Sequence, residues 1–350
     1  QMQATFPGKF ALTEYRCEQS FDRNPDQGSC ADPRDRRGRE SRGASGRCGR
    51  VQTRRQRAAL VTVASYTLNL LSFFDKCKEG LDQLRDLVVS EASKGVGLFC
   101  FQLASEAVLA EVQCTLAEAQ FSHRIFASHD AFDAFGLGVV SRYPLGSVRT
   151  HAIPVEQGKE DKVFALTFDL KVPGERPIRF TNLWLNNSSE EARWAQVFDG
   201  GLLDAEAEEG VLVGDFNALR KADYTKGGWE ALNAFAESRG WEPRSDRVMG
   251  ALTSGPEAPF EDACTRILDE NPEIDPNTTS TSSDFYTYSM EVGGRVLKLR
   301  LDYVLVSGAS GLSPEFYRVR HDVSLSRRYW HYRALSLFPT LPAASFSLRP

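Results

Sequence analysis

Asp215 and Asn217 stand two residues apart at the end of a short apolar run, Val211-Leu-Val213, with Gly214 between the run and the acid. A run of β-formers of this length suits a buried strand, and the end of such a strand is where a sheet presents polar side chains. A carboxylate and a carboxamide on that edge can orient a water and hold a phosphate oxygen or a hydrated Mg²⁺. They equally suit an Asx turn that closes a strand. Other apolar runs also end in polar residues, which adds Thr67, Gln102, Asp302 and His331 to the set.

The elements that must position these residues begin abruptly at Ala58. Ala59 to Tyr66 is β-rich, Asp75 to Lys94 repeats apolar residues at helical spacing, and Val96 to Gln102 is a second apolar run, followed by a helix from Ser105 to about Ala119. Further strands are expected at 136–144, 163–170, 178–185 and 295–306, and Ser188-Ser-Glu-Glu191 has capping-box spacing for a helix start. A helix is expected through Trp229 to Ser238. Residues 242–284, rich in Pro, Glu, Asp, Ser and Thr, read as a surface insertion, and 343–350 as a C-terminal tail. Many strands with helices between them predict an α/β protein of two mostly antiparallel sheets packed face to face and flanked by helices, a four-layer sandwich over 58–342.

Charge separates this body from what precedes it. Residues 1–57 hold 13 of the 42 basic and 7 of the 47 acidic residues, a net +6, which leaves the remainder at −11. The first 57 residues, poor in aliphatics, read as a basic arm rather than a domain. Ten arginines fall between Arg34 and Arg57; Arg34, Arg36, Arg37, Arg39, Arg54, Arg55 and Arg57 are candidate partner-binding residues. Such an arm suits a solvated disordered tail, a tail that folds onto a protein or RNA partner, or the remnant of an organellar transit segment. The acidic body is a poor platform for a polyanion. No apolar run reaches 18 residues, so no membrane span is expected. Seven cysteines without C-x-x-C spacing are expected to be reduced thiols in an intracellular setting.

The polar residues, taken in order, resemble the endonuclease/exonuclease/phosphatase superfamily of Mg²⁺-dependent phosphodiesterases and phosphatases. The resemblance is carried by Ala64-Ser-Tyr66, Phe99-Cys-Phe-Gln102, Ser141-Arg-Tyr-Pro144, Arg193 with Gln196, Gly214-Asp-Phe-Asn-Ala218 and Arg300-Leu-Asp-Tyr303. It implies the four-layer fold, and it implies catalytic roles for Asp215, Asn217 and His331, with Asp302 and Gln102 beside the metal. Four positions depart from the family pattern. Thr67 stands where active members have Asn, Leu103 where they have the Glu that is the principal Mg²⁺ ligand, Trp184 where they have His, and Trp330 where Asp precedes the last His. Leu supplies no oxygen ligand and Trp cannot replace imidazole. The expectation is therefore a catalytically inactive relative, needing no cofactor, that serves as a structural or interaction subunit of a larger assembly, with a mitochondrial complex as the setting. The alternatives are an active enzyme, with Mg²⁺ as its cofactor, and an RNA-binding module working through the arm.

Overall fold

The chain was analysed as a computed structural model, which describes residues 8–10, 12–19, 61–68, 78–129, 135–153, 162–203, 210–238, 240, 242–270, 286, 288–292, 295–320 and 343–349. In chain order, β1 is Gly8–Phe10, β2 Leu12–Gln19, β3 Val61–Thr67, α1 Lys78–Ser93, β4 Val96–Ala104 and α2 Glu106–Thr115. There follow β5 His123–Ser128, β6 Gly136–Ser141, β7 Leu145–Ile153, β8 Lys162–Leu170, β9 Ile178–Trp184 and α3 Glu190–Trp194. The second half comprises β10 Val211–Asp215, α4 Lys226–Ser238, α5 Arg247–Thr253, β11 Phe260–Asp262 and α6 Ala263–Glu270. It closes with β12 Tyr288–Val292, β13 Arg295–Leu299, β14 Asp302–Ser307, β15 Leu312–Arg320 and β16 Ala343–Arg349.

Seven strands form one sheet in the order β15-β16-β2-β3-β4-β6-β5, and six form the other in the order β11-β14-β10-β9-β8-β7. Neighbours are antiparallel except β3 with β4, β9 with β10 and β16 with β2. The first two exceptions have a helix in the connection, α1 and α3 respectively, as a parallel crossover requires. β1, β12 and β13 form a small separate sheet.

Alternation along the strands decides what each face meets. In β4, Leu98 and Cys100 enter the core between the sheets, while Phe99 and Phe101 turn outward to α1 and α2. In β10, Val211 and Val213 face the other sheet, and Leu212 packs outward with Val248, Met249 and Leu252 of α5. β14 divides likewise, Val304 and Val306 inward, Tyr303 and Leu305 outward. Helix, sheet, sheet and helix are thus four layers, as expected from the sequence.

The boundaries differ from the sequence reading at four places. Within the basic arm, β2 is hydrogen-bonded into the seven-stranded sheet against β3 and β15; its alternating pattern is short and lies among charged residues. The segment read as a surface insertion contributes α5, β11 and α6, because Val248, Met249 and Leu252, then Ala263, Cys264 and Ile267, recur at helical spacing and are buried. The tail supplies β16. The run 295–306 is two strands, interrupted at Arg300-Leu301.

That interruption has an electrostatic cause. Arg300, buried, turns to meet Asp262 through two hydrogen bonds of 2.8 and 2.7 Å from its terminal nitrogens. Arg220 lies 3.2 Å from the same carboxylate and 2.5 Å from Asp223, and the Thr265 hydroxyl donates to Asp262 at 2.7 Å. The group ties β11 and α6 to the segment after β10 and to Arg300, just before β14. Burial alone would raise the Asp262 carboxyl, but the Arg300 and Arg220 guanidiniums outweigh it and hold it below the usual carboxylate range. Asp262→Asn would leave two buried guanidiniums without their shared carboxylate and lower the unfolding free energy by roughly 3–5 kcal/mol, measured by urea denaturation. Because the folded value is depressed, this contribution is complete above about pH 4 and fades as pH falls, so wild type and variant converge in acid.

Candidate functional site

The period of two carries the polar strand ends to one place. Thr67 shares parity with Val61 and Val63, Gln102 with Leu98 and Cys100, Trp184 with Ile178 and Phe180, Asp215 with Val211 and Val213, and Asp302 with Val304 and Val306. All these apolar residues face the other sheet, so the polar ends converge at one end of the sandwich, between the sheets.

Gln102 is the hub. Its Nε2 donates to Asn182 Oδ1 at 2.6 Å and to Ser65 Oγ at 3.0 Å. Asn182, on β9 of the opposite sheet, donates in turn to the backbone carbonyls of Phe101 and Gly138 at 3.0 and 3.1 Å. The Thr67 hydroxyl lies 2.9 Å from Asp302 Oδ1 and 3.1 Å from Gln102 Oε1. Two bridges therefore cross from one sheet to the other, and all five side chains are buried. Asn182 was not among the residues singled out from sequence, although it follows Ile178 and Phe180 at inward parity, where a polar side chain must find partners.

Asp215 and Asp302 are register partners across β10 and β14. The Asn217 amide donates to Asp215 Oδ1 at 2.9 Å, and Asn217 Nδ2 donates to the Leu185 carbonyl at 3.0 Å, with φ +48° at Asn217. This is the Asx turn that the spacing allowed, in a left-handed conformation that Asn tolerates. Gly214 has φ +135°, and a Cβ there would stand 2.2 Å from the Leu183 carbonyl oxygen and 3.1 Å from Gln102 Nε2. The glycine lets the hub approach β10. Burial pushes the Asp215 carboxyl well above its usual range and the facing Asp302 charge adds to the rise, against smaller opposing effects of Asn217 and Arg193.

Leu103 directly follows the hub with φ +55° and only 7% of its surface exposed. An oxygen ligand is thus missing beside Gln102, and Asp215 and Asp302 each already accept a hydrogen bond. Among the described residues no three His, Cys, Asp or Glu side chains are grouped so as to hold a metal ion. Asp215 and Asp302 give this end of the cleft two carboxylates, without the Glu that the resemblance implies after Gln102. His331, Trp330 and the arginines from 34 to 57 lie outside the described residues. Trp184, register partner of Asp215 on β9, meets His129 and Phe135 edge to face. The place of His129 beside Trp184 comes from the meeting of distant segments, which spacing does not reveal.

Residues 67–324 match the family model described as Endonuclease/Exonuclease/phosphatase family. The chain belongs to that family. Its fold is similar to ANGEL2, titled a 2′,3′-cyclic phosphatase, with a TM-score of 0.52 and 15% identity over 83% of this chain and 95% of that one. A family protein from Beutenbergia cavernae gives 0.51 and 14% over 83% of this chain and 71% of that one. One from Bacteroides thetaiotaomicron gives 0.50 and 15% over 83% and 98%. At these identities the likeness shows the fold alone. No curated protein sequence matches the chain.

A carboxyl whose folded value is raised costs stability as pH climbs above the unfolded value of about 3.9. Asp215→Asn should therefore raise the unfolding midpoint by a few degrees at pH 7 and leave it unchanged near pH 3.5, as thermal scans at the two values would read. Gly214→Ala should destabilise by roughly 2–4 kcal/mol in a denaturant titration, through a left-handed Ala and its collision with the Leu183 carbonyl.

Proposed function

We propose that the chain is a non-hydrolysing member of its family that serves as a structural or interaction subunit of a larger assembly. The observation that carries this reading is the end of β4, where the Gln102 carboxamide is engaged in the bridge to Asn182 and the next residue is the buried Leu103. Phosphodiester hydrolysis in a metal site needs an ion to neutralise developing charge and an oriented water. Removing a single stabilising group typically costs about 10²–10³ in rate. An apolar side chain beside the hub and Trp184 beside Asp215 dry the same cleft, which favours the fold over the chemistry. The arginines from 34 to 57 supply a charged contact for a protein partner, or for RNA, and an organelle such as the mitochondrion is the setting we propose.

A second reading, a Mg²⁺-dependent phosphodiesterase, is favoured by one observation: Asp215 and Asp302 face each other across adjacent strands, as two carboxylates around a cation would. In it Asp215 orients the water, and Asn217 and His331 bind the phosphate. Incubation with a generic phosphodiester and with a 2′,3′-cyclic nucleotide, in Mg²⁺ or Mn²⁺, separates the two. The purified protein should give no turnover above that of Asp215→Ala; metal-dependent turnover abolished by that substitution would establish the second reading instead.

A further inference from the structure

The six-stranded sheet ends on β7, which pairs with β8 on one side and, among the described residues, with no strand on the other. A strand in that position presents a row of backbone donors and acceptors that a further strand can pair with. Ser147, Val148, Arg149 and Thr150 are exposed in succession. Val148, at 46%, is one of two large apolar side chains so exposed among the described residues.

The charge on this edge is set by an irregularity. Gly146 and Arg149 are three residues apart, a spacing that in a regular strand puts them on opposite faces. Here Gly146 is opposite Asp169 and Arg149 is opposite Thr167, so one extra residue is taken up at Ser147 and Val148, with φ +49° at Ser147. The bulge brings 146 and 149 onto one face. That face is the outer one, because Thr167 is followed across the sheet by Thr181 and by Leu212, which packs with α5. Lys171 joins it: a Cβ at Gly146 would stand 2.7 Å from Lys171 Nζ, so the absence of a side chain lets the ammonium lie over the strand. Two cations therefore stand on the outer face of the edge, one pleat repeat or roughly 7 Å apart. Asp169, the one acid on β7 and β8, is engaged by Arg179 at 3.0 Å.

We propose that β7 receives an extended acidic segment of a partner protein as an added strand, with carboxylates at alternate positions over Lys171 and Arg149 and an apolar side chain against Val148. Main-chain pairing supplies affinity and charge supplies selection. Two β7 edges brought together would set the same cations against each other, which disfavours a second copy of this chain. Residues 58–350 carry a net −11, so an acidic segment is repelled by most of the body and confined to this edge. The contact is separate from the polar cleft: Gly146 and Arg149 are level with Arg179 and Thr181 near the start of β9, and Trp184 ends that strand. It names a partner class for the interaction role proposed above and rests on that role, though not on the loss of hydrolysis.

Fluorescence anisotropy of a short capped peptide of alternating Glu and Val, titrated with the full chain, tests this. Its controls are the Lys and Val counterpart and the same Glu and Val peptide N-methylated at alternate residues, which keeps the charge and removes the donors. The acidic peptide should bind in the submillimolar range and both controls should not. Arg149→Glu combined with Lys171→Glu should weaken binding about 10-fold or more, with the thermal midpoint unchanged because both side chains are exposed. On the wild type, hydrogen exchange at residues 146–151 should slow when the peptide is added, a readout independent of any variant. Absence of binding at about 1 mM, equal binding of the N-methylated peptide, affinity unchanged in the double variant, or protection elsewhere overturns the proposal. Tighter binding of the lysine peptide overturns the charge of the partner, and self-association protecting 146–151 in the free chain makes a second copy the occupant instead. Each of these leaves the non-hydrolysing reading untouched, because that reading is decided by turnover and not by peptide binding.

Discussion

The hydrogen bond of 2.6 Å from Gln102 to Asn182 joins the two sheets where the sandwich would otherwise open. Elsewhere the sheets are held by apolar side chains such as Leu98, Phe168, Phe180 and Val304, which tolerate small sliding because dispersion is non-directional. A buried carboxamide is directional. Gln102 and Asn182 leave no comfortable alternative register, since a slip by one residue would place both amides against aromatic side chains. Gly214, required by its positive φ and the nearby Leu183 carbonyl, also leaves room for Gln102 beside β10, and the adjoining contact of Thr67 with Asp302 brings β14 into the same polar seam.

A second polar group, centred on Asp262 with Arg300 and Arg220, is built differently. It combines one carboxylate with two guanidiniums, and its geometry depends on charge, whereas the seam at Gln102 is neutral apart from its two acids. The contrast explains the opposite behaviour of two buried carboxyls. Asp262 is stabilised as an anion by its arginines, and Asp215, buried and facing another acid, favours its proton. The stabilising charge lies away from the cleft, and the destabilising charge lies in it. That is the usual division between the part of a fold that holds it together and the part inherited as a site.

Much of this was legible beforehand, for a reason visible in particular residues. The runs at Val96, Val163 and Val211 alternate or stay apolar over strand length, and helical spacing at Leu81, Leu84 and Val88 marks α1. The polar strand ends therefore followed from pattern, and period two alone puts them on facing surfaces. The segment 242–284 was not legible, because acidic and proline-rich stretches dilute the apolar positions of α5 and α6. Asn182 carried a signal, a polar residue at inward parity, that is recognisable once the parity of β9 is known. The meeting of His129 with Trp184 carried none: residues far apart in sequence meet there through the tertiary fold. The arginines between 34 and 57 lie outside the described residues, and their role rests on composition.

The central proposal is that the oxygens of this cleft serve the bridge between the sheets and the turn at Asn217 and do not form a divalent-cation site. Any ion that binds the folded state raises its stability by an amount set by concentration over Kd, so the unfolding midpoint reports occupancy without any substrate. It should be measured at neutral pH in EDTA and in Mn²⁺ at roughly 1,000 times the micromolar Kd of an ordinary site, a ratio worth about 4 kcal/mol. An unchanged midpoint is the expected result. A rise of several degrees in Mn²⁺ that disappears in Asp302→Asn would contradict the claim and make the cleft a metal centre.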